Sequence, residues 1–373
     1  MLFGSFAWSF VYVSLPFHVQ AISTLDATAT LEWTGWILGI APLTTVITAP
    51  LWGRYAERHN AKALYTVIAI LQALSFGAMA AARTLLELFA TRLALGVMGA
   101  ASTFAFVIAG REDDPQGVRR QVAAVQSAMT VGQVLGPLAG AMVAARIGFR
   151  ASFVVGALIL LACALLVHWG VPATPPRAAA TARDAGAGLR DVTAVALIVL
   201  AGSTHVFFLP AILPQVLAEL GVRPERTLEV GGLIIFASGL AAALGSFAAP
   251  RLGDLVGDRR LLPALLVASG LAAALLGVVG SVRLYGVVRF LQVLAIAPVF
   301  PLVVAQIATR AGGQAIGFIN AARLGAAFLG PVAATAVLAR TSPAMLYALL
   351  ALIAVACVPL TRFGRRRSAG NIR

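Results

Sequence analysis

Charge is scarce in this sequence: only 11% of its 373 residues are Asp, Glu, Lys or Arg, against about 25% in ordinary soluble domains. That leaves too few polar side chains to clothe a chain of this length in water. Cysteine is nearly missing. Cys163 and Cys357 each lie in an apolar run, which excludes a disulfide framework and a cysteine metal cluster and points to lipid-facing or helix-packing roles. The sequence has no HExxH, no nucleophile elbow and no GxxxxGK[ST] loop. These absences remove the common hydrolase classes and an ATP-driven pump, so no enzyme activity, cofactor or metal is expected. Lysine occurs once, at Lys62, and the Arg- and Ala-rich composition suggests a bacterial source.

Apolar sequence fills the space that charge leaves. Hydrophobic residues make up 60% of the chain, in runs long enough to cross about 30 Å of hydrocarbon with roughly 20 residues each. Cutting at charged and Pro/Gly-rich breaks predicts twelve spans: 2–22, 33–52, 63–82, 85–109, 121–145, 151–171, 192–218, 229–249, 261–280, 284–308, 316–339 and 343–361. The expected fold is an all-α membrane protein of two pseudo-symmetric six-helix halves, 1–171 and 192–362. A Pro- and Arg-bearing cytoplasmic linker (172–191) joins them, and a basic tail (363–373) follows. Met1 leads directly into Leu2-Phe3-Gly4, with no basic region or cleavage site, so the first segment reads as a span and not a signal peptide. So abrupt a start suggests a short cytoplasmic tail upstream.

The net charge of +14 is not gathered into a nucleic-acid-binding stripe; it sits in small groups at segment ends. With a cytoplasmic N-terminus, 18 basic residues fall on inner segments and 7 on outer ones. Arg92, Arg289 and Arg323 remain inside spans. The excess of positive charge inside predicts that both termini are cytoplasmic.

The halves also resemble each other in register. Glu57 pairs with Asp254 and Arg92 with Arg289, each 197 positions apart. Gly136-Pro137 pairs with Gly330-Pro331, and Leu15-Pro16 with Leu209-Pro210, each 194 apart. Repeated halves let one side of a transporter rock against the other.

These segments resemble the major facilitator superfamily over essentially the whole chain. In the loop after span 2, Gly53, Arg54, Glu57, Arg58 and Lys62 are similar to the family's signature loop, with Glu57 where Asp is usual. The second copy keeps Asp254, Gly257 and Arg259. The physical expectation is a cytoplasmic latch: Gly53 permits a tight helix-end turn, and Glu57 accepts from a neighbouring helix N-terminus. Arg92, followed by Gly96, resembles the family's fourth-span motif, which implies a part in coupling. An alternative reading has this arginine bracing helices through backbone carbonyls. Gly132, Gly136, Pro137 and Gly140 resemble the fifth-span motif of drug:proton antiporters. The glycines form one flat face for a close helix neighbour.

Further coupling candidates are Glu87, Arg289, Arg323, His18 and His205; Tyr12, Gln126, Thr130, Gln133, Gln292 and Asn320 are candidates to line a cavity. No acid lies deep in a span, which favours an amphipathic, neutral or anionic substrate over a permanent cation. The resemblance implies a monomeric secondary transporter in the plasma membrane, exporting a small amphipathic compound by alternating access in exchange for protons. Import of a metabolite, a lipid flippase and a non-transporting membrane sensor are the alternatives.

Overall fold

The computed structural model describes residues 1–110, 115–172, 188–308 and 313–362, excluding the side chains of Glu57, Pro115, Arg119, Asp258, Arg259, Ala308, residues 313–317 and Arg362. All regular structure among them is helical. The helices group into twelve segments. Span 1 comprises Leu2–Phe10 and Ser14–Ile22, span 2 Ala27–Arg58, span 3 Ala61–Ala81, and span 4 Leu85–Val97 and Ala101–Ala109. Spans 5 and 6 are Pro115–Ile147 and Phe149–Gly170. Span 7 comprises Leu189–Phe207 and Leu209–Glu219, span 8 Thr227–Val256 and span 9 Asp258–Leu276. Span 10 is Val282–Ile296 with Val299–Ala308, span 11 Gly313–Leu338 and span 12 Pro343–Ala356. Eleven segments are long and apolar enough to cross a membrane over their described residues; span 9 is the shorter one, its described side chains running over Arg260–Leu276.

Short polar caps set the helix starts. Asp26 accepts from Ala29 N at 2.8 Å, Asn60 from Lys62 N at 3.0 Å and Ser281 from Leu284 N at 3.3 Å. Each satisfies a donor that the first helical turn leaves open. Gly148 and Gly257 enter spans 6 and 9 at φ +81° and +80°, a region that other residues rarely adopt. The turn that the sequence suggested at Gly53 falls later. Span 2 runs on to Arg58, and Asn60 caps the next helix, because an Asx cap supplies a defined start where Gly53 supplies only flexibility.

Four spans are interrupted, and they are spans 1, 4, 7 and 10, at Val11–Val13, Met98–Ala100, Phe208 and Ala297–Pro298. Proline follows or sits in the break in three of them, at Pro16, Pro210 and Pro298. It removes a backbone donor and clashes with the preceding turn. In span 4 the break contains Gly99, the weakest helix former after proline.

Packing divides the chain into two units: Met1–Ala180 with Pro210–Phe236, and Thr181–Leu209 with Ala237–Arg373. The sequence-based division follows connectivity, whereas packing groups Pro210–Phe236 with the first unit. Most of the linker, 173–187, and the tail, 363–373, lie outside the described residues. In the first unit span 1 packs on span 5 and span 3 on span 6. In the second, span 7 packs on span 11 and span 9 on span 12, so the pairing recurs six spans later.

One core joins Phe10, Leu15, Ile37, Leu38, Phe76 and Phe153; another joins Val195, Ile198, Leu266 and Val303. Cys163 and Cys357 are buried free thiols. They serve helix packing. Ile47, Leu74, Leu158, Phe247, Leu271 and Leu352 are exposed, which the lipid of a multi-pass protein accommodates and water does not.

Candidate transport site and gate

The three intramembrane arginines differ in what they touch. Arg92 is only 2% exposed; its Nε donates to Ile37 O at 3.1 Å and its Nη2 to Leu38 O at 3.3 Å. Leu38 O would bond to the amide four residues on, but that residue is Pro42. The guanidinium therefore fills a vacancy that proline made. Two charge-assisted bonds of about 1.5–3 kcal/mol each are comparable to the roughly 2.5–3.5 kcal/mol that an arginine costs at a membrane helix centre.

Arg289, 1% exposed, repeats the device in the second half of the sequence. Its Nη1 donates to His205 O at 2.8 Å and its Nη2 to Val206 O at 3.1 Å. Pro210 cannot bond Val206 O. Gln292 Oε1 also accepts from Arg289 Nη1, and the guanidinium lies 4.9 Å from the Phe208 ring centroid. Gln292 Nε2 faces His205 Nδ1 and Ser269 Oγ, both at 3.0 Å. His205 Nε2 faces Leu350 O at 3.0 Å. A carbonyl can only accept, so His205 carries its proton on Nε2, and Nδ1 accepts from Gln292. The network ties spans 7, 9, 10 and 12 together through a neutral imidazole.

Arg323 is half-buried. Only its Nε has a described partner, Asn320 Oδ1 at 3.3 Å, and its guanidinium carbon lies 5.4 Å from the Phe300 ring centroid.

The span 4 break is held from neighbouring helices. Gly96 O accepts from Thr45 Oγ1 at 2.9 Å and Val97 O from Trp52 Nε1 at 2.7 Å. Gln72 Nε2 donates to Met98 O, while Trp8 Nε1 donates to Gln72 Oε1 at 3.2 Å. Gln72, Thr45, Trp52 and Ser269 were not among the sequence candidates. A lone Gln within the apolar stretch of span 3 was the available signal.

The glycine face of span 5 is seated on span 1. A Cβ at Gly136 would come 2.7 Å from Phe6 O, and one at Gly132 2.6 Å from Leu2 O; at Gly140 it would overlap Phe10 O. Pro137 lies within the same unbroken helix. In the matching place on span 11, a Cβ at Gly330 would come 3.2 Å from Phe208 N.

The other candidates are dispersed. His18 is buried, edge-on to Phe153 at 5.2 Å between ring centroids, and its Nε2 has no described partner. Tyr12 lies in the span 1 break, its hydroxyl likewise unpartnered among the described residues. Glu87 is exposed and accepts from Arg83 N at 2.7 Å, completing a cap with Thr84. Gln126 and Gln133 are exposed and Thr130 is half-buried, its hydroxyl donating to Gln126 O at 3.0 Å. No described carboxylate is buried. In the gate region Arg54 and Arg58 are exposed and Lys62 is half-buried. The side chains of Glu57 and Arg259 lie outside the described residues. Asp254 and Gly257 line a cavity of about 550 Å³ with Pro250, Gly253, Arg260 and Pro301.

The Major Facilitator Superfamily model matches residues 1–222 and 193–372. An uncharacterized MFS-type transporter of Bacillus subtilis, YuxJ, is 25% identical over 349 residues, covering 88% of this chain and 86% of that protein. The multidrug resistance protein MdtG of Citrobacter koseri is 25% identical, covering 84% of this chain and 79% of that one. Among solved structures, the human organic anion transporter MFSD10 (TETRAN) superposes with a TM-score of 0.70 at 17% identity, covering 96% of each chain; that likeness concerns the fold alone. Twelve helical segments, a repeated pairing and a family match that spans the chain lead to one conclusion: this protein belongs to the major facilitator superfamily of membrane transporters, and resembles its multidrug efflux branch.

Proposed function

We propose that the protein exports a small amphipathic compound in exchange for protons. It works by alternating access, as a monomer in the plasma (inner) membrane with both termini cytoplasmic. The observation that carries this reading is the interruption of every third span, at 1, 4, 7 and 10. Discontinuous helices expose backbone groups inside the membrane and mark substrate sites in transporters built from repeats. The span 5 glycine face on span 1 and the multidrug resistance relatives favour export. The helix ends that carry Glu57 and Asp254, in the last turns of spans 2 and 8, act as the cytoplasmic latch.

Proton coupling here uses no buried carboxylate among the described residues. His18, with its unpartnered Nε2, is the proposed proton carrier. The same lack of carboxylate favours a second reading, proton-independent facilitated movement by the same fold.

Reconstitution with a pH-sensitive dye inside the liposomes separates the two. Proton flux opposite to the movement of an amphipathic probe, abolished in His18→Ala, supports exchange. Probe movement without proton flux establishes the facilitator reading.

A further inference from the structure

We infer that Arg323 is an anion-binding residue and that the preferred substrate carries a carboxylate or a comparable oxyanion; this names the substrate class of the transport reading above and rests on it. The argument begins with what separates Arg323 from Arg92 and Arg289. Those two are 2% and 1% exposed, and each donates to two backbone carbonyls. Their described bonds brace helices, and the one donor nitrogen of Arg289 without a partner among the described residues, Nε, is buried. Arg323 Nη1 and Nη2 have no hydrogen-bond acceptor among the described residues, and the side chain is half-buried.

Position supports the same conclusion. Arg323 lies about 15 Å along span 11 at 1.5 Å per residue, deep in the hydrocarbon zone. A charge there generally faces the protein interior or a water-filled cavity. At about 100° per residue, Asn320 and Arg323 stand roughly 140–200° around the helix from Phe318, with Leu329 close to Phe318 on the same side. Phe318 and Leu329 are exposed apolar residues that mark the lipid side. Asn320 is exposed too, so this polar pair is open on a face turned away from lipid.

The guanidinium is also prepared for a planar partner. Phe300 lies beneath it at 5.4 Å and Asn320 holds Nε. That leaves the terminal Nη1 and Nη2 pair, whose geometry matches two carboxylate oxygens. No local acid competes. The 115 residues after Asp258 hold twelve arginines and no aspartate or glutamate. The equivalent position in the first half is Met129, so the cation occurs in one half only.

The test is equilibrium binding to the full chain in phosphatidylcholine nanodiscs. The probes are radiolabelled 2-naphthoate, 2-naphthalenesulfonate and decanoate, with neutral 2-naphthamide as control. We expect saturable binding of at least one anion, weakened about tenfold or more in Arg323→Ala and partly retained in Arg323→Lys. Arg323→Gln, whose thermal unfolding is compared with wild type, separates lost binding from lost folding.

Anion binding unchanged in Arg323→Ala, or no saturable binding of any of the three anions to wild type, overturns the inference. Loss of binding when phosphatidylglycerol is added to the nanodiscs shows that a lipid phosphate takes the site, and overturns the substrate assignment. Flux of the same probes into liposomes is measured separately. Binding without flux supports the anion site and sinks the transport reading; flux indifferent to Arg323 does the reverse.

Discussion

Arg92 donates to the very carbonyl that Pro42 leaves without a partner, Leu38 O, at 3.3 Å. Arg289 stands in the same relation to Pro210 through Val206 O, at 3.1 Å. A proline in one helix and an arginine in another are thus one device, used once in each half of the sequence. Two intramembrane charges have a structural account that sequence spacing alone did not distinguish from a coupling role.

Arg92→Ala should destabilise the protein by about 1–3 kcal/mol, the cost of leaving a buried polar group unpaired. Pro42→Ala restores a backbone donor to Leu38 O. The double variant Pro42→Ala/Arg92→Ala should therefore lose less than Arg92→Ala alone. Thermal unfolding in detergent checks this, and an additive double variant would refute the shared-carbonyl account.

Gln292 holds three partners at once, so Gln292→Leu should cost more than either Ser269→Ala or His205→Phe. A loss of about 2–4 kcal/mol follows from leaving the amide's neighbours unpaired in a buried network. Unfolding of the three variants side by side decides it. Equal losses would mean that the network has no centre at Gln292.

The glycines differ in kind, and alanine substitutions should sort them. Gly140→Ala places a methyl onto Phe10 O and should impair both stability and transport. Gly257→Ala must adopt φ +80°, at a cost of about 1–2 kcal/mol. Gly53→Ala meets nothing within 4 Å inside a helix and should be neutral or stabilising by up to about 1 kcal/mol. Flux in liposomes, with thermal unfolding beside it, reads both effects.

Glu87 caps span 4 from an exposed position. Glu87→Ala removes the acceptor for Arg83 N; it should lower thermal stability slightly and leave the pH dependence of transport unchanged. A shifted pH profile would instead place this carboxylate in the proton path.

Much of the fold was legible because lipid imposes strict conditions on sequence. A span must be long and apolar, and charged or Pro/Gly-rich breaks separate one from the next; the caps at Asp26, Asn60 and Ser281 emerged only with the structure. The repeat was visible in Arg92/Arg289 and in Gly136-Pro137/Gly330-Pro331 because both halves solve the same packing problem. Gln72, Thr45 and Trp52 were missed. Their partners are carbonyls of another helix, and a carbonyl leaves no trace in sequence.

By itself, then, the sequence determined a helical, multi-pass protein with a doubled architecture and arginines within its spans. Hydrophobicity and spacing are properties of a single segment, and they suffice for that. Only the tertiary structure decided what each arginine touches. Arg92 and Arg289 meet carbonyls freed by prolines, whereas Arg323 Nη1 and Nη2 have no acceptor among the described residues and its guanidinium lies over Phe300. A guanidinium's role depends on which acceptors come within about 3 Å of it, and those acceptors are brought there by the packing of other helices.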